Sequence, residues 1–397
     1  MIDAPLWAER LGGETFLAQT LSRSHHVSRG PDGAFDSLLS WDALNTILAT
    51  HRLSPPRLRL SADGDALPPE RYAIPVTNRR GSSWHRILPA DLHARLAEGA
   101  SLVLDSAEEI HPPITAAAQS LERFVRTSVQ VNAYASWTPT EGFGTHWDDH
   151  DVVVAQIDGA KRWRLYGPTR TSPDWRDVEF PPEPTGDPVE EVVLTSGDLL
   201  YLPRGCWHAV TADQGAPSLH LSFGLTGPRT GADLLGWLVD QLRTRLTVRQ
   251  DVPRFARAQD QAAYTEELRK ELLAELDRPD LVQRWAASVD TTHPGRPRTS
   301  LPYINRVPAE PGVVVRLTCP RAHLDTGADD GTVVLAGAGT AWEFAAAARP
   351  VLQALMPGRP VALGYLAEQA ALPVADVAQV VAVLVEGQAA AVTGTGQ

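Results

Sequence analysis

Between Val129 and Phe223 the sequence is divided into short stretches of alternating or β-branched residues, separated by turns that contain glycine and proline. Val152 to Ile157 is rich in β-branched residues, and Asp158-Gly159 follows it as a turn. Alternation resumes after that turn at Arg162 to Tyr166, as in a hairpin. Many short strands at close spacing predict a β-sandwich or a β-barrel.

A possible metal-binding pair precedes the strand that starts at Val152. A loop with two glycines, Gly142 and Gly144, leads to His146 and Asp148. Residues two apart in a strand point to the same face, so we expect this imidazole and this carboxylate to converge inside the sheet or barrel. Together they supply two thirds of the facial site that holds non-haem Fe(II).

A second motif, Gly197-Asp-Leu-Leu-Tyr-Leu-Pro-Arg-Gly-Cys-Trp-His208, supplies a third ligand. A turn glycine, a short strand and a Pro-x-Gly corner place His208 on the next strand. A lone histidine is more often a core residue bonded to a backbone carbonyl. The two motifs together favour a metal site of two imidazoles and one carboxylate, which leaves coordination positions open for substrate and O₂.

The spacing of His146 and Asp148 is weak evidence by itself, because His323-Leu-Asp325 repeats it. That second copy has no glycine-rich approach and no downstream partner, so we interpret it as surface. Near the first copy, Asp149 is expected to face away from His146, and Asp151 is expected to face outward. His150 shares the face of His146, and the sequence leaves open whether it lines a pocket or packs in the core.

Bulk properties limit the classes of protein that fit. A chain of 397 residues predicts two or three domains, and 43% hydrophobic with 21% charged residues is ordinary globular composition. The net charge of −12 argues against non-specific nucleic-acid binding by the whole surface and suits a basic protein or peptide partner. Two distant cysteines form neither a disulfide framework nor a thiolate zinc site. With no signal-like or membrane-length apolar run, we expect a cytoplasmic protein without membrane contact.

The sequence predicts helices in the N-terminal part of the chain and both helices and strands after residue 228. Residues 1–50 and most of residues 229–290 have apolar residues at helical spacing. Beyond a linker that ends at Ser300, the pattern predicts two strands, a helix at Ala341 to Leu355, and then two helices and a closing strand. That last order is winged-helix-like.

DNA binding by this terminal module is not favoured. Residues 361–397 contain no Lys or Arg, whereas a DNA reader needs cations. We therefore expect a structural or dimer-supporting role for it.

The segments Gly142–Pro168 and Gly197–His208 resemble the JmjC-type cupin oxygenases, and most closely their ribosomal-oxygenase group of protein hydroxylases. The resemblance implies a mixed α+β chain whose oxygenase domain, residues 1–228, has N-terminal helices and a double-stranded β-helix (cupin/JmjC) core. A helical dimerisation region with a linker, residues 229–300, and a winged-helix-like module, residues 301–397, would follow. It also implies a homodimer.

The same resemblance assigns the site. His146, Asp148 and His208 are the expected Fe(II) ligands and catalytic centre. Lys161 matches the cation that pairs with the distal carboxylate of the co-substrate 2-oxoglutarate; a buried carboxylate needs such a partner. Alternation places Lys161, Trp163 and Leu165 on the inward face of the hairpin, which favours Lys161 over Arg162. The positions of further polar co-substrate contacts are Asn132, Tyr134, Thr138 and Ser222.

The implied activity is hydroxylation of a protein or peptide side chain, an Arg or His and possibly of a ribosomal protein, with O₂ and 2-oxoglutarate converted to CO₂ and succinate. Alternatives are a hydroxylase of a peptide natural-product precursor, a lysyl demethylase, and a metal-binding cupin with isomerase, dioxygenase or sensory function. Such other cupins more often carry His-x-His, a Glu and a further His, which is absent here. A transcription factor is opposed by the lack of cations in residues 361–397 of the terminal module.

Overall fold

The structure, a computed structural model, describes residues 4–62, 64–173, 182–304, 306–327 and 331–395. It divides into two compact units, Met1–Thr226 and Gly227–Gln397. The boundary lies within two residues of the end predicted for the oxygenase domain. The further division of the second unit at residue 300 stays a prediction.

The first unit combines helices on one side with a β-rich core. Its helices are α1 (Ala4–Leu11), α2 (Gly13–Thr15), α3 (Trp41–Thr50), α4 (Pro89–Ala97) and α5 (Pro112–Val125). Its strands are β1 (His26–Ser28), β2 (Leu58–Ala62), β3 (Asp65–Ala66), β4 (Ala73–Thr77), β5 (Ser83–Ile87), β6 (Ser101–Leu104), β7 (Ser128–Ser136), β8 (Asp151–Asp158), β9 (Ala160–Pro168), β10 (Glu190–Thr195), β11 (Leu199–Leu202), β12 (Cys206–Ala212) and β13 (Ser218–Thr226).

Two antiparallel sheets form the core of this unit. Within the described residues, the larger sheet has the order β1-β11-β8-β13-β7-β6-β2-β3, and the smaller has the order β10-β9-β12. Strand β8 is central in the larger sheet and is buried on both faces, which explains its continuous β-branched run. The strands predicted from Val129 to Phe223 are all present.

Alternate residues of β8 belong to two separate hydrophobic clusters. Val152 and Val154 pack with Trp163, Leu194 and other residues of the smaller sheet. The residues between them, Val153 and Ala155, face the cluster formed with α1, α3, α4 and α5. The β-core is therefore enclosed by the small sheet on one side and by helices on the other.

The N-terminal helices are fixed to the large sheet by aromatic contacts. Trp7 of α1 is fully buried, donates from Nε1 to Ser120 Oγ of α5 at 2.8 Å, and meets Phe223 of β13 edge-on at 5.2 Å between ring centroids. Burying a tryptophan and satisfying its N–H favours one defined position for α1.

The second unit has its own core. Its helices are α6 (Gly231–Leu242), α7 (Leu246–Arg249), α8 (Ala258–Leu276), α9 (Leu281–Thr292), α10 (Arg349–Leu355), α11 (Leu363–Ala370) and α12 (Val374–Glu386). Its strands are β14 (Val313–Leu317), β15 (His323–Thr326), β16 (Thr332–Gly337), β17 (Thr340–Ala345), β18 (Val361–Ala362) and β19 (Ala390–Thr395). Among the described residues they form the sheets β18-β14-β19 and β15-β16-β17.

One predicted helix is wrong over half its length. The segment from Ala341 to Leu355 was expected to be helical, but Thr340–Ala345 is strand β17 and only Arg349–Leu355 is α-helix. Ala338 and Gly339 both have positive φ, 52° and 75°, and form the tight turn that pairs β17 with β16. The hairpin pairing overrides the helical propensity of the alanines.

The many prolines and acidic residues at positions 168–189 predict a loop, and part of it, residues 174–181, lies outside the described residues. Across the described chain no single helix is long and apolar enough to cross a bilayer; only α11 and α12 taken together pass that test, and they are bent by 112°.

The β8–β9 turn generates a stability prediction. Gly159 has φ +66°, and an added Cβ would lie 1.9 Å from the carbonyl oxygen of Pro217. Gly159→Ala should therefore lower the free energy of unfolding by about 2–4 kcal/mol, from the left-handed backbone and the steric overlap together. Urea denaturation measures the change.

Gly215→Ala is the matched control. Gly215 has nearly the same φ, +68°, but nothing lies within 4 Å of its added Cβ. It should carry only the backbone cost, about 1–2 kcal/mol. Equal losses in the two variants would contradict the steric argument.

Candidate metal centre

The two histidine motifs meet through their backbones. The N–H of His146 donates to the carbonyl of His208 at 3.0 Å, and the N–H of His208 donates to the carbonyl of His146 at 2.8 Å. His146 is therefore an isolated bridge residue beside β12 and not a member of a long strand. A β-bulge between Trp207 and His208 adjusts the direction of the His208 side chain.

The Pro-x-Gly corner positions the carboxylate. The N–H of Gly205, which has φ +74°, donates to the carbonyl oxygen of Asp148 at 2.8 Å. Asp148 Oδ2 then lies 3.8 Å from His208 Nε2. One ligand atom from each of His146, Asp148 and His208 lies within 4.8 Å of the others, and no other such cluster occurs among the described residues.

Each imidazole has its Nδ1 occupied. His146 Nδ1 lies 3.0 Å from the carbonyl oxygen of Gly144, and His208 Nδ1 lies 3.0 Å from that of Cys206. A carbonyl oxygen only accepts, so Nδ1 of each ring is the donor and Nε2 is the nitrogen that would bind a metal. Two imidazoles and one carboxylate fit Fe(II) with open positions.

Asp151 is buried, and the expectation that it faces outward is wrong. Its carboxylate accepts hydrogen bonds from Ser22 Oγ at 2.7 Å, Tyr201 OH at 2.8 Å and the backbone N–H of Arg204 at 2.9 Å. These donors come from two segments that are remote from Asp151 in sequence, so strand alternation could not reveal them. Asp151 ties the start of β8 to the corner that holds Asp148.

His150 lines the cavity at the metal site, which answers the question that the sequence left open. Its Nδ1 bonds the Asp149 carboxylate at 3.1 Å. An added Cβ on Gly224 would lie 2.9 Å from the His150 ring, so glycine at that position gives the ring its room.

The second His-x-Asp motif, His323 and Asp325, belongs to the second unit. His323 lies in β15 of the second unit, and its Nε2 bonds the buried Asp290 at 3.0 Å. His323 is half-buried and hydrogen-bonded to its neighbour, so we assign it a structural role.

The metal-site cavity has a volume of about 230 Å³. It lies within the first unit, between the two sheets. Its lining includes Arg59, Ser101, Gln130, Asn132, Tyr134, Phe143, His146, Asp148, His150, Val152, Lys161, Trp163, Leu202, His208, Val210, His220, Ser222 and Gly224.

Lys161 is the buried cation of this cavity. Its side chain is 4% exposed and Nζ donates to Ser136 Oγ. Burial lowers the pKa of Lys161 to about 7. Across the described chain no carboxylate forms an ion pair with it. As the hairpin alternation predicted, Trp163 and Leu165 are buried with it.

Tyr134 and His220 form a stacked pair in the same wall, with ring centroids 5.0 Å apart and planes 5° apart. Burial and then the charge of Asp148 raise the pKa of Tyr134 to about 12, so the phenol stays neutral. Burial and then Lys161 hold the pKa of His220 well below its usual range, so the imidazole stays neutral too. His220 Nδ1 has no hydrogen-bond partner among the described residues, and the Tyr134 phenol bonds the Asn132 side chain, so the two groups add uncharged polar atoms to the wall.

Of the other predicted co-substrate contacts, two line the cavity and one does not. Asn132 and Ser222 line the cavity, and Asn132 Oδ1 accepts from the N–H of Ser106 at 3.0 Å. Thr138 is absent from the lining; its hydroxyl lies 3.4 Å from the N–H of Thr140. The loop after β7 carries Thr138 away from the strands.

Sequence reasoning missed His220 and Arg59. His220 shares its strand face with Ser222, so alternation along β13 was the signal that could have found it. Arg59 makes a bidentate pair with Asp105, at 2.8 and 3.2 Å, and its guanidinium lies 5.9 Å from the Phe143 ring centroid. Only the tertiary fold brings β2 to the cavity.

Known proteins share this site region and this fold. Residues 109–233 match the JmjC domain family, so the chain contains a JmjC domain and the resemblance seen in its motifs is confirmed. A bifunctional lysine-specific demethylase and histidyl-hydroxylase NO66 from Drosophila persimilis is 26% identical over 257 residues, 60% of this chain and 34% of that protein. The same-named protein of Culex quinquefasciatus is 34% identical over 153 residues, 38% of this chain and 24% of that protein. The chain thus spans about a third or less of the length of these relatives.

Solved structures show the architecture over nearly the whole chain. Escherichia coli YcfD, described as a ribosomal oxygenase, superposes with a TM-score of 0.61 and 18% identity, covering 95% of this chain and 97% of that one. A YcfD complex with cobalt and 2-oxoglutarate gives a TM-score of 0.57. The JmjC cupin fold with mixed helices and sheets is therefore established here.

The metal assignment predicts a difference between neighbouring carboxylates. Asp148→Ala should weaken Fe(II) binding by at least about 100-fold, more than the roughly 10- to 100-fold typical of losing a second-shell partner. Asp149→Ala is the matched control and should bind nearly as the unmodified protein, because its carboxylate bonds His150. Anaerobic calorimetry measures both, and equal affinities would refute the assignment.

Proposed function

We propose that the protein is an Fe(II)- and 2-oxoglutarate-dependent oxygenase that hydroxylates a side chain of a protein or peptide. The observation that carries the proposal is the combination of a two-histidine, one-carboxylate cluster with a buried cation in one cavity. A JmjC domain over the same residues supports it.

The three ligand residues would hold the metal on one face. His146 and His208 would bind through Nε2, since hydrogen bonds to Gly144 and Cys206 occupy Nδ1. Asp148 would bind through its carboxylate. When bound, Fe(II) and 2-oxoglutarate supply the oxidising chemistry, with O₂ consumed and succinate and CO₂ released.

The cavity wall would fix the co-substrate. Lys161, once protonated, would pair with the distal carboxylate of 2-oxoglutarate, and Ser136 keeps its Nζ in place. Asn132, Tyr134 and Ser222 offer further polar atoms in the lining, and we add His220 to this set. For Thr138 the position outside the lining favours a role in shaping the loop.

We infer a basic substrate side chain, Arg or His, in a ribosomal protein. The names of the related proteins, histidyl-hydroxylase and ribosomal oxygenase, support this class, and the acidic chain suits a basic partner. The NO66 relatives also carry the name lysine-specific demethylase, which makes methyl-lysine the second candidate substrate.

Turnover separates the candidates. The protein is incubated with Fe(II), 2-oxoglutarate and ribosomal proteins from a strain that lacks its gene, and succinate and peptide masses are measured. A gain of one oxygen atom on Arg or His supports the hydroxylase. Formaldehyde release with loss of a methyl group indicates demethylation. Oxidation of only a non-ribosomal precursor peptide indicates natural-product chemistry, and metal binding without turnover indicates a sensory cupin.

The Lys161 environment predicts a pH dependence for 2-oxoglutarate binding. Because the pKa of Lys161 is about 7 without an anion, the side chain is charged below pH 7 and neutral above it. Binding a carboxylate above pH 7 requires proton uptake, so the dissociation constant should be flat below pH 7 and rise up to about tenfold per pH unit above it. Anaerobic calorimetry from pH 6 to 8.5 measures this.

Lys161→Arg is the control for this prediction. A guanidinium stays charged throughout the range, so the variant should bind 2-oxoglutarate with little dependence on pH, whatever its affinity. A pH-independent dissociation constant for the unmodified protein would contradict the predicted role of Lys161.

We further propose that the helices of residues 229–300 form a homodimer interface. Large apolar side chains on this segment are exposed, including Leu235, Leu246, Phe255, Leu273 and Val282. Sedimentation at micromolar concentration tests it, and a monomer there would refute it.

We propose that residues 301–397 are a winged-helix-like module that supports the fold or the dimer. The succession α11, α12 and β19 supports the motif, and the absence of Lys and Arg after residue 360 disfavours DNA binding. A cytoplasmic location fits the two buried cysteines, both of which are free thiols.

A further inference from the structure

A second cavity of the first unit is distinct from the metal site. It has a volume of about 450 Å³ and shares no lining residue with the metal-site cavity. It lies between the end of α3, strand β5 and the first turns of α4. Its lining consists of Asn45, Leu48, Ala49, Thr50, His51, Arg52, Trp84, His85, Arg86, Ile87, Pro89, Leu92 and His93.

The lining is cationic. It contains two guanidinium groups, three imidazoles and no carboxylate. The adjoining β4–β5 hairpin extends this character, because residues 71–90 contain Arg71, Arg79, Arg80 and Arg86 but no Asp or Glu. In a chain of net charge −12, such a segment is a local exception to the acidic surface.

The guanidinium groups here are not neutralised. Within the described residues, none of Arg52, Arg79, Arg80 and Arg86 forms an ion pair, whereas Arg162 of β9 pairs with Glu191 and Asp213. Arg79 and Arg80 are exposed at the hairpin turn. Unpaired positive charge in the cavity, from Arg52 and Arg86, and at the turn of the hairpin that forms one of its walls attracts anions.

An aromatic ring and an apolar floor accompany the charge. Trp84 is half-buried, and the guanidinium carbon of Arg52 lies 4.2 Å from its ring centroid. Leu48, Ile87 and Leu92 add apolar surface. A carboxylate-rich peptide has no use for this aromatic surface, whereas a nucleotide combines a flat base with a phosphate and uses both.

We propose that this groove, defined as the second cavity together with Arg79 and Arg80, binds single-stranded nucleic acid. One base lies in the cavity beside Trp84, and the neighbouring phosphates lie along Arg79 and Arg80. The site goes beyond the oxygenase function and uses neither the metal nor 2-oxoglutarate. Its failure and that of the oxygenase proposal are therefore separate results.

Fluorescence anisotropy with a labelled twelve-nucleotide oligouridylate tests the groove, using the full chain without metal. Binding is expected at low salt and should weaken linearly in log–log form as salt rises. Arg79→Glu with Arg80→Glu should weaken it more than about tenfold and reduce the salt slope by about one to two. Trp84→Ala should weaken it about fivefold or more, the range expected for lost stacking.

Arg306→Glu with Arg359→Glu is the matched control, with the same charge change at exposed arginines of the second unit outside the proposed dimer segment. It should leave the affinity within about twofold, because neither arginine lines the groove and independent surface sites do not couple. No binding in low salt, or equal weakening by control and groove variants, overturns the proposal. Equally tight binding of polyglutamate of the same length also overturns the proposal, because negative charge alone would then explain the binding. The urea midpoint of the Arg79, Arg80 variant should equal that of the unmodified protein, which shows that the chain is folded.

Discussion

The reciprocal pair of backbone hydrogen bonds between His146 and His208 is the constraint on which the metal centre depends. It brings together two segments that are 62 positions apart in the chain. Gly205 adds a third bond, to the carbonyl of Asp148, and the buried Asp151 fastens the same corner to the start of β8. Backbone groups fix all three ligands, so the side chains need little reorganisation to bind a metal, which is the preorganisation that a metal site requires.

Burial gives the co-substrate wall its character. Lys161, Tyr134 and His220 lie in one low-dielectric region. Burial there lowers the pKa of the lysine and of the histidine and raises the pKa of the tyrosine, so the neutral form of each is favoured. A dicarboxylate bound at this wall would restore the charge of Lys161, so recognition of the anion and protonation of the lysine would be coupled. The neutral phenol and imidazole would add polar atoms without repelling the lysine.

The parts of the fold that the sequence predicted correctly are those with local periodicity. Strands β7 to β13 follow alternation and turn glycines, and the inward direction of Lys161 follows from its place beside Trp163. The errors arose where distant partners decide. Asp151 is buried because donors from Ser22, Tyr201 and Arg204 surround it, and the alanines after Thr340 join a hairpin that the β16 edge stabilises. Local propensity carries no information about the donors around Asp151 or about the strand that pairs with β17.

By its spacing and alternation, the sequence predicted the succession of strands along the chain, the three residues that the structure brings into one cluster and the lysine that faces the cavity from the hairpin. The tertiary structure decided what lies beside them. It placed His220, Arg59 and Gly224 at the same cavity, removed Thr138 from it, and gathered unpaired arginines around Trp84. These outcomes depend on the packing of segments that are remote in sequence, and only the folded chain brings such segments into contact.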